Sequence, residues 1–180
     1  MTNTTRKVLV AYGTRAGSTA GVAERVADVL NRNVFAAQAV DVKKVKDAAS
    51  YDAVVLGSSV RASKLKPEVL KFLDKNEAVL NAKPFAAFVV CLAMKEPDGK
   101  SRATASAYLD PVRLRIKPLS EGLFAGALNL EKLGLVERTI MKAMKAESGD
   151  FRKWDEVEAW AASLAPLFAT GQKADGRQKV

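Results

Sequence analysis

Lys7–Val8–Leu9–Val10–Ala11–Tyr12–Gly13–Thr14–Arg15–Ala16–Gly17–Ser18–Thr19 is the stretch that decides the fold. Its first six residues are an apolar run of mostly branched side chains, too short for a helix, and they read as a strand buried on both faces. Gly13 closes the run, and a loop of small and hydroxyl residues follows. From Thr19 to Asn31 the period changes: Val22, Val26, Val29 and Leu30 fall on one face of a helix. A buried strand feeding a helix through a short loop is the first unit of an α/β fold.

The rest of the chain repeats this order. Val34 to Val42 reads as a weaker strand, and Ala53 to Leu56 as a second buried strand ended by Gly57. Pro67–Glu68 opens a helix, with proline at a first helical position and an acid at the positive helix start. Phe85 to Leu92 is a third buried run, 96–100 is turn chemistry, and Ala103 to Leu109 is a short helix before Pro111. Leu119 to Leu128 holds the last strand, and Glu131 to Lys145 is a basic amphipathic stretch. Val157, Trp160, Ala161, Leu164 and Phe168 mark a terminal helix. Strands apolar on both faces and alternating with helices predict a parallel sheet covered on both sides. One domain over 1–170 is expected, with 171–180 as a frayed basic tail.

Composition narrows the chemistry. The 180 residues contain no histidine and one cysteine, Cys91. Histidine-based acid/base chemistry, paired-cysteine redox chemistry and His/Cys metal sites are therefore excluded. A reaction here needs a borrowed reactive group, and no catalytic side chain or metal is expected. With 29 basic and 20 acidic side chains the net charge is +9, which points to an anionic partner. The basic residues are not interleaved with aromatics and match no nucleic-acid-binding motif, so nucleic acid is not the expected partner. Met1 to Lys7 has no signal-peptide pattern, and the longest apolar run, Pro84 to Met94, is too short to span a bilayer. Cytoplasmic placement is expected, with peripheral contact at the inner, anionic membrane face.

In an open α/β sheet, ligands sit beyond the carboxyl ends of the strands. The loop 13–19 lies there, and its hydroxyls, its backbone N–H groups and a helix start converge as a phosphate cradle. The spacing is neither a Walker loop nor GxGxxG. With Thr14, Gly17 and Thr19 in place, the loop resembles that of the flavodoxin-like FMN-binding family, whose pattern is Ser/Thr-x-Thr-Gly-x-Thr. Ala16 stands where that pattern has a threonine. The resemblance implies a five-stranded parallel sheet of order 2-1-3-4-5 with an insertion near the last strand, and FMN as cofactor. It implies contacts from Thr14, Arg15, Ala16, Gly17, Ser18 and Thr19 to the phosphate. Ser58, Ser59, Val60, Arg61 and Ala62, and Cys91, Leu92 and Ala93, then flank the ring.

Within that family the chain is most similar to the quinone-dependent protoporphyrinogen IX dehydrogenases and their flavodoxin-domain relatives. The segments that carry this are Gly57–Ser58–Ser59–Val60–Arg61, Gly122 to Leu128, and Gly149–Asp150–Phe151–Arg152–Lys153–Trp154. The similarity implies oxidation of an anionic tetrapyrrole or similar small molecule with a quinone as acceptor, and Arg61, Lys64 and Lys95 as substrate contacts. A homodimer is among the expectations. Neither ring-flanking loop offers an aromatic side chain, so the inserted segment is expected to cover one face or leave it open. Two other readings remain: an electron carrier without a substrate of its own, against which the positive charge argues, and an interaction module that has lost flavin.

Overall fold

The computed structural model describes residues 5–143 and 147–171. The expected tail beyond 171, and Met144 and Lys145 of the amphipathic stretch, lie outside them. In chain order the elements are β1 (Lys7–Gly13), α1 (Ser18–Arg32), β2 (Ala36–Asp41), β3 (Ala53–Arg61), β4 (Lys64–Leu65), α2 (Pro67–Asn81) and β5 (Phe85–Val90). A 3-10 turn (Leu92–Met94), α3 (Gly99–Ala107), α4 (Asp110–Arg113), β6 (Ser120–Phe124) and β7 (Ala127–Leu128) follow. A second 3-10 turn (Leu130–Lys132), α5 (Leu135–Ala143), β8 (Gly149–Asp150) and α6 (Trp154–Ala169) complete the fold.

The sheet runs β2-β1-β3-β5-β6 with every neighbour parallel, and β4 folds back on β3 as a hairpin. Counting only the five parallel strands, this is the expected order 2-1-3-4-5. Successive residues of each central strand enter opposite cores, as the pleat requires. Val8, Val10, Val55, Ala86 and Phe88 meet α1 and α6 through Val22, Val26, Leu30, Val157, Leu164 and Phe168. Leu9, Ala11, Val54, Leu56, Phe85 and Ala87 meet α2 through Val69, Phe72 and Leu73, and meet Leu109, Val112 and Ile116 beyond α3.

Four boundaries differ from the sequence reading, each for a local reason. Val34 does not begin a strand; it sits at φ +65° and is 86% exposed, in the turn that reverses the chain after α1. Gly57 does not end β3, which continues to Arg61. Its missing side chain instead makes room for the Phe88 ring, whose Cζ would lie 2.1 Å from a Cβ at position 57. Helix α3 begins at Gly99, inside the expected turn, because Asp98 and Ser101 form a capping box: the Asp98 carboxylate accepts the Ser101 N–H at 2.7 Å, and the Ser101 hydroxyl accepts the Asp98 N–H at 2.7 Å. The last apolar run is not one strand. β6 ends at Phe124, and after Gly126 the chain leaves the main sheet to pair β7 with β8.

Replacing Gly57 by Ala forces its Cβ into the Phe88 ring and is expected to cost about 1–3 kcal/mol. Adding Phe88→Leu should recover part of that loss relative to the sum of the single changes, read from urea unfolding midpoints as a double-mutant cycle.

Candidate functional site

The carboxyl ends of β1, β3 and β5 open on one side of the sheet, and there they border a cavity of about 300 Å³. Arg15, Ala16 and Ser18 supply its wall from the first loop, and Ser59, Val60, Arg61 and Ala62 from the end of β3. Val90, Cys91 and Leu92 line it from the end of β5. The remaining side is aliphatic: Leu128, Leu133, Ile140 and Met141, reached through Gly126 and Ala127. These last residues belong to the segment after β6, which folds back over the sheet end.

The first loop is shaped by Gly17, whose φ of +91° is in the left-handed region. Its N–H donates to the Thr14 hydroxyl at 3.1 Å, closing the loop on itself. The first-turn N–H groups of a helix have no intrahelical acceptor, and no side chain among the described residues caps those of α1. Thr19 in that turn is wholly buried, and its hydroxyl has no hydrogen-bond partner among the described residues. An unsatisfied buried hydroxyl beside free helix amides is a donor set complementary to an oxyanion. Gly126 passes close by: a Cβ there would lie 3.0 Å from Val90 Cγ1 and 3.5 Å from Ser18 Oγ.

The structure places the other expected residues as follows. Ser58 is buried and ties β3 to α2, its hydroxyl accepting the Lys66 N–H at 3.0 Å and donating to the Ser59 carbonyl at 2.9 Å. Ala93 is not in the cavity wall; the 3-10 turn rotates it onto a small cluster with Cys91, Met94, Ala105 and Ala125. Lys64 is exposed on β4 beside Arg61, outside the wall. Lys95 lies over the Phe151 ring, 4.4 Å from its centre. Cys91 is 8% exposed, and burial pushes its thiol pKa up, so it stays a neutral thiol near pH 7.

Val90, Gly126, Ala127, Leu128, Leu133, Ile140 and Met141 complete the wall and were not among the expected site residues. What holds that wall in place is the segment Gly149–Trp154. Phe151 N–H donates to the Gly126 carbonyl at 3.1 Å. Arg152 pairs with Asp150, which holds that carboxyl below the usual range, and stacks on Trp154 at 4.6 Å. Arg25 of α1 lies over the same indole at 4.9 Å. Arg152 also passes where a Cβ on Gly21 of α1 would be, 2.6 Å from its Nη1.

A family profile described as "Flavodoxin domain" matches residues 9–155. The chain belongs to the flavodoxin domain family. A protoporphyrinogen IX dehydrogenase [quinone] of Escherichia coli is 27% identical over 173 residues, covering 89% of this chain and 96% of that protein. One of Leishmania major with the same name is 26% identical over 181 residues, covering 93% and 78%. Among solved structures, a flavodoxin from the domain Archaea superposes with a TM-score of 0.58 over 91% of this chain and 99% of its own, at 17% identity. No helix among the described residues of this flavodoxin-domain protein is long and apolar enough to cross a membrane.

The hairpin of the cavity wall carries a measurable strain. Ala62 and Ser63 are its two loop residues, and both have positive φ, 47° and 60°. A two-residue turn with that backbone favours Asn-Gly. The double change Ala62→Asn, Ser63→Gly is expected to stabilise the fold by about 1 kcal/mol, seen as a higher melting temperature; an unchanged or lower one would contradict this assignment of strain.

Proposed function

We propose that the chain is an FMN-dependent oxidoreductase of the protoporphyrinogen dehydrogenase type, which oxidises an anionic tetrapyrrole or similar substrate and delivers the hydrogen to a quinone. The observation that carries the reading is the unpaired Thr19 hydroxyl buried at the uncapped start of α1, at the carboxyl edge of a flavodoxin-domain sheet. Family membership and the names of the two dehydrogenase relatives support it.

FMN, when bound, supplies the two-electron chemistry, which suits a chain without histidine. In this reading the first-turn amides of α1, with Thr14, Ser18 and Thr19, bind the phosphate. Arg15, Ala16 and Gly17 shape the loop around it. Ser59, Val60, Arg61, Ala62, Cys91 and Leu92 border the ring, Val60 and Leu92 giving it aliphatic rather than aromatic contact. Ser58 and Ala93 act from behind, by fixing the ends of β3 and β5. Leu128, Leu133, Ile140 and Met141 exclude water from the remaining side. Arg15 and Arg61, the charged residues in the wall, attract substrate carboxylates and favour negative charge that develops nearby. Lys64 and Lys95 add to the positive field from outside the wall.

Thr19→Val separates cofactor binding from stability. Removing an unpaired buried hydroxyl is expected to leave the ligand-free protein as stable or about 1 kcal/mol more so. The same change should weaken FMN binding about tenfold, since a charged phosphate loses a hydrogen bond, while riboflavin affinity stays as it was. Thermal unfolding and fluorescence titration with both flavins read this out. A colourless purified protein that ignores added FMN, or one that binds riboflavin as tightly as FMN, would falsify the cradle.

Activity is tested with protoporphyrinogen IX and a soluble quinone, without oxygen, with and without FMN. Turnover is expected only with FMN. Its KM should rise with ionic strength, because exposed charges are screened beyond about 8–10 Å. Arg61→Glu should raise KM several-fold and flatten that salt dependence. Quinone reduction that is independent of FMN, or a KM indifferent to salt, counts against the assignment.

A further inference from the structure

A second cavity, of about 260 Å³, lies between the segment after β2 and helix α2, on the side of the sheet away from α1. Positions 68, 71, 72, 75 and 76 share one face of α2 by helical spacing. Phe72 is buried at its base, and Glu68, Lys71, Lys75 and Asn76 line the opening. Lys43 and Lys46 stand on the opposing wall, so cations border one cleft from both sides. Glu68 is already taken, by Lys66 at 3.4 Å and Lys43 at 3.8 Å. Lys46, Lys71 and Lys75 have no ion-pair partner among the described residues. Neighbouring acids are engaged elsewhere: Asp41 accepts the Lys43 N–H at 2.9 Å, Asp47 accepts the Ala49 N–H at 2.8 Å, and Asp74 pairs with Arg115 at 2.6 Å. Lys71 and Lys75, four apart on one helix, repel each other. A cleft lined by one sign of charge concentrates ions of the other.

We propose that this cleft is a second ligand site, which binds a diphosphate group, free or carried on a small organic molecule. Unpaired ammonium groups on two walls call for a ligand with more than one anionic group, one toward Lys71 and Lys75 and another toward Lys46. No arginine lines the cleft among the described residues, so the planar fork that matches a carboxylate is missing. Lysine ammonium groups act as point charges and suit the tetrahedral oxygens of phosphate. Val42, Val45, Ala48 and Phe72 form an apolar floor, and charge pairing beside such a surface is less weakened by water. The loop wall is held in advance. The Val42 N–H donates to the Tyr12 carbonyl at 2.9 Å, and the Lys83 ammonium donates to the carbonyls of Ala48 at 3.1 Å, Ala49 at 2.6 Å and Tyr51. Binding therefore pays little to order it. The volume is below the usual range of about 300–1,000 Å³ for ligand pockets, which restricts the ligand to a small one. The two cavities share no wall residue, and the inference stands without the flavin reading.

The test is isothermal titration calorimetry of the full-length protein with pyrophosphate, ADP, tricarballylate and sulfate, at one ionic strength and without divalent cations. Saturable binding of pyrophosphate, ADP or both is expected, at least about tenfold tighter than that of sulfate or tricarballylate. The tighter of the two distinguishes a free diphosphate from an organic one. The double change Lys71→Gln, Lys75→Gln should lower diphosphate affinity at least about tenfold, and Lys46→Gln several-fold, since each lysine removed takes a charge-assisted hydrogen bond with it. All three side chains are exposed, so the melting temperature without ligand should stay that of the parent. Lys46→Gln probes the cleft from its other wall should α2 not tolerate the double change. Thr19→Val, in the first loop, should leave diphosphate affinity as it was. Absence of diphosphate binding by the parent overturns the proposal, as does binding no tighter than that of sulfate or tricarballylate. Affinity undiminished in both lysine variants also overturns it, and so does a loss in Thr19→Val, which assigns the anion to the first loop. A parent that binds diphosphate in the cleft but ignores FMN would support this site while removing the flavin reading, so the two fail separately.

Discussion

Burial of one parallel sheet on both faces is the constraint on which the rest of this structure depends. Alternate residues of β1, β3 and β5 point into two separate cores, and each large side chain there contributes about 1.5–3 kcal/mol by leaving water. Helices must cover both faces to realise that gain. The strand ends are then the places left for a ligand to approach backbone amides, which is why the cavity lies where it does.

The same packing sets where glycine is tolerated and needed. Gly57 sits in the middle of a buried strand because Phe88 lies over it, and Phe88 in turn meets Phe124 and Trp160 at 5.9 Å each. That cluster joins β3, β5, β6 and α6. Gly126 and Gly21 do comparable work at the site: one lets the chain pass the start of α1, the other admits Arg152 against α1. The cavity is therefore held by long-range contacts between α1 and the chain beyond β6, whereas the loop 13–19 is closed by its own Gly17–Thr14 hydrogen bond.

This division explains the chemistry of the wall. The ends of β3 and β5 contribute the aliphatic Val60, Val90 and Leu92, and β7, the end of the second 3-10 turn and α5 add Leu128, Leu133, Ile140 and Met141. No aromatic residue lines the cavity among the described residues. The segment after β6 takes up the role of a wall, and the same helix leaves Leu135 and Val136 exposed on its outer side.

The sequence by itself determined the α/β class and the location of the first loop, because those follow from signals within a few residues: the short apolar runs of the strands, the 3.6-residue helix period and the glycine and hydroxyl pattern of 13–19; the strand order came from the family resemblance that this pattern carries. Nine of the residues it named, Arg15, Ala16, Ser18, Ser59, Val60, Arg61, Ala62, Cys91 and Leu92, line the cavity. Tertiary structure alone decided the rest. Whether Gly57 ends a strand or seats a ring depends on Phe88, thirty-one residues away in sequence. Whether 119–128 is one strand or two depends on Gly149–Asp150 pairing with Ala127–Leu128. The two faces of α5 carry the same helical signal in either orientation, and only Arg138 reaching the carbonyls of Leu130 and Glu131 turns the apolar one outward. Periodicity reports that a helix has two unlike faces; which of them meets the protein is settled by contacts that no local pattern contains.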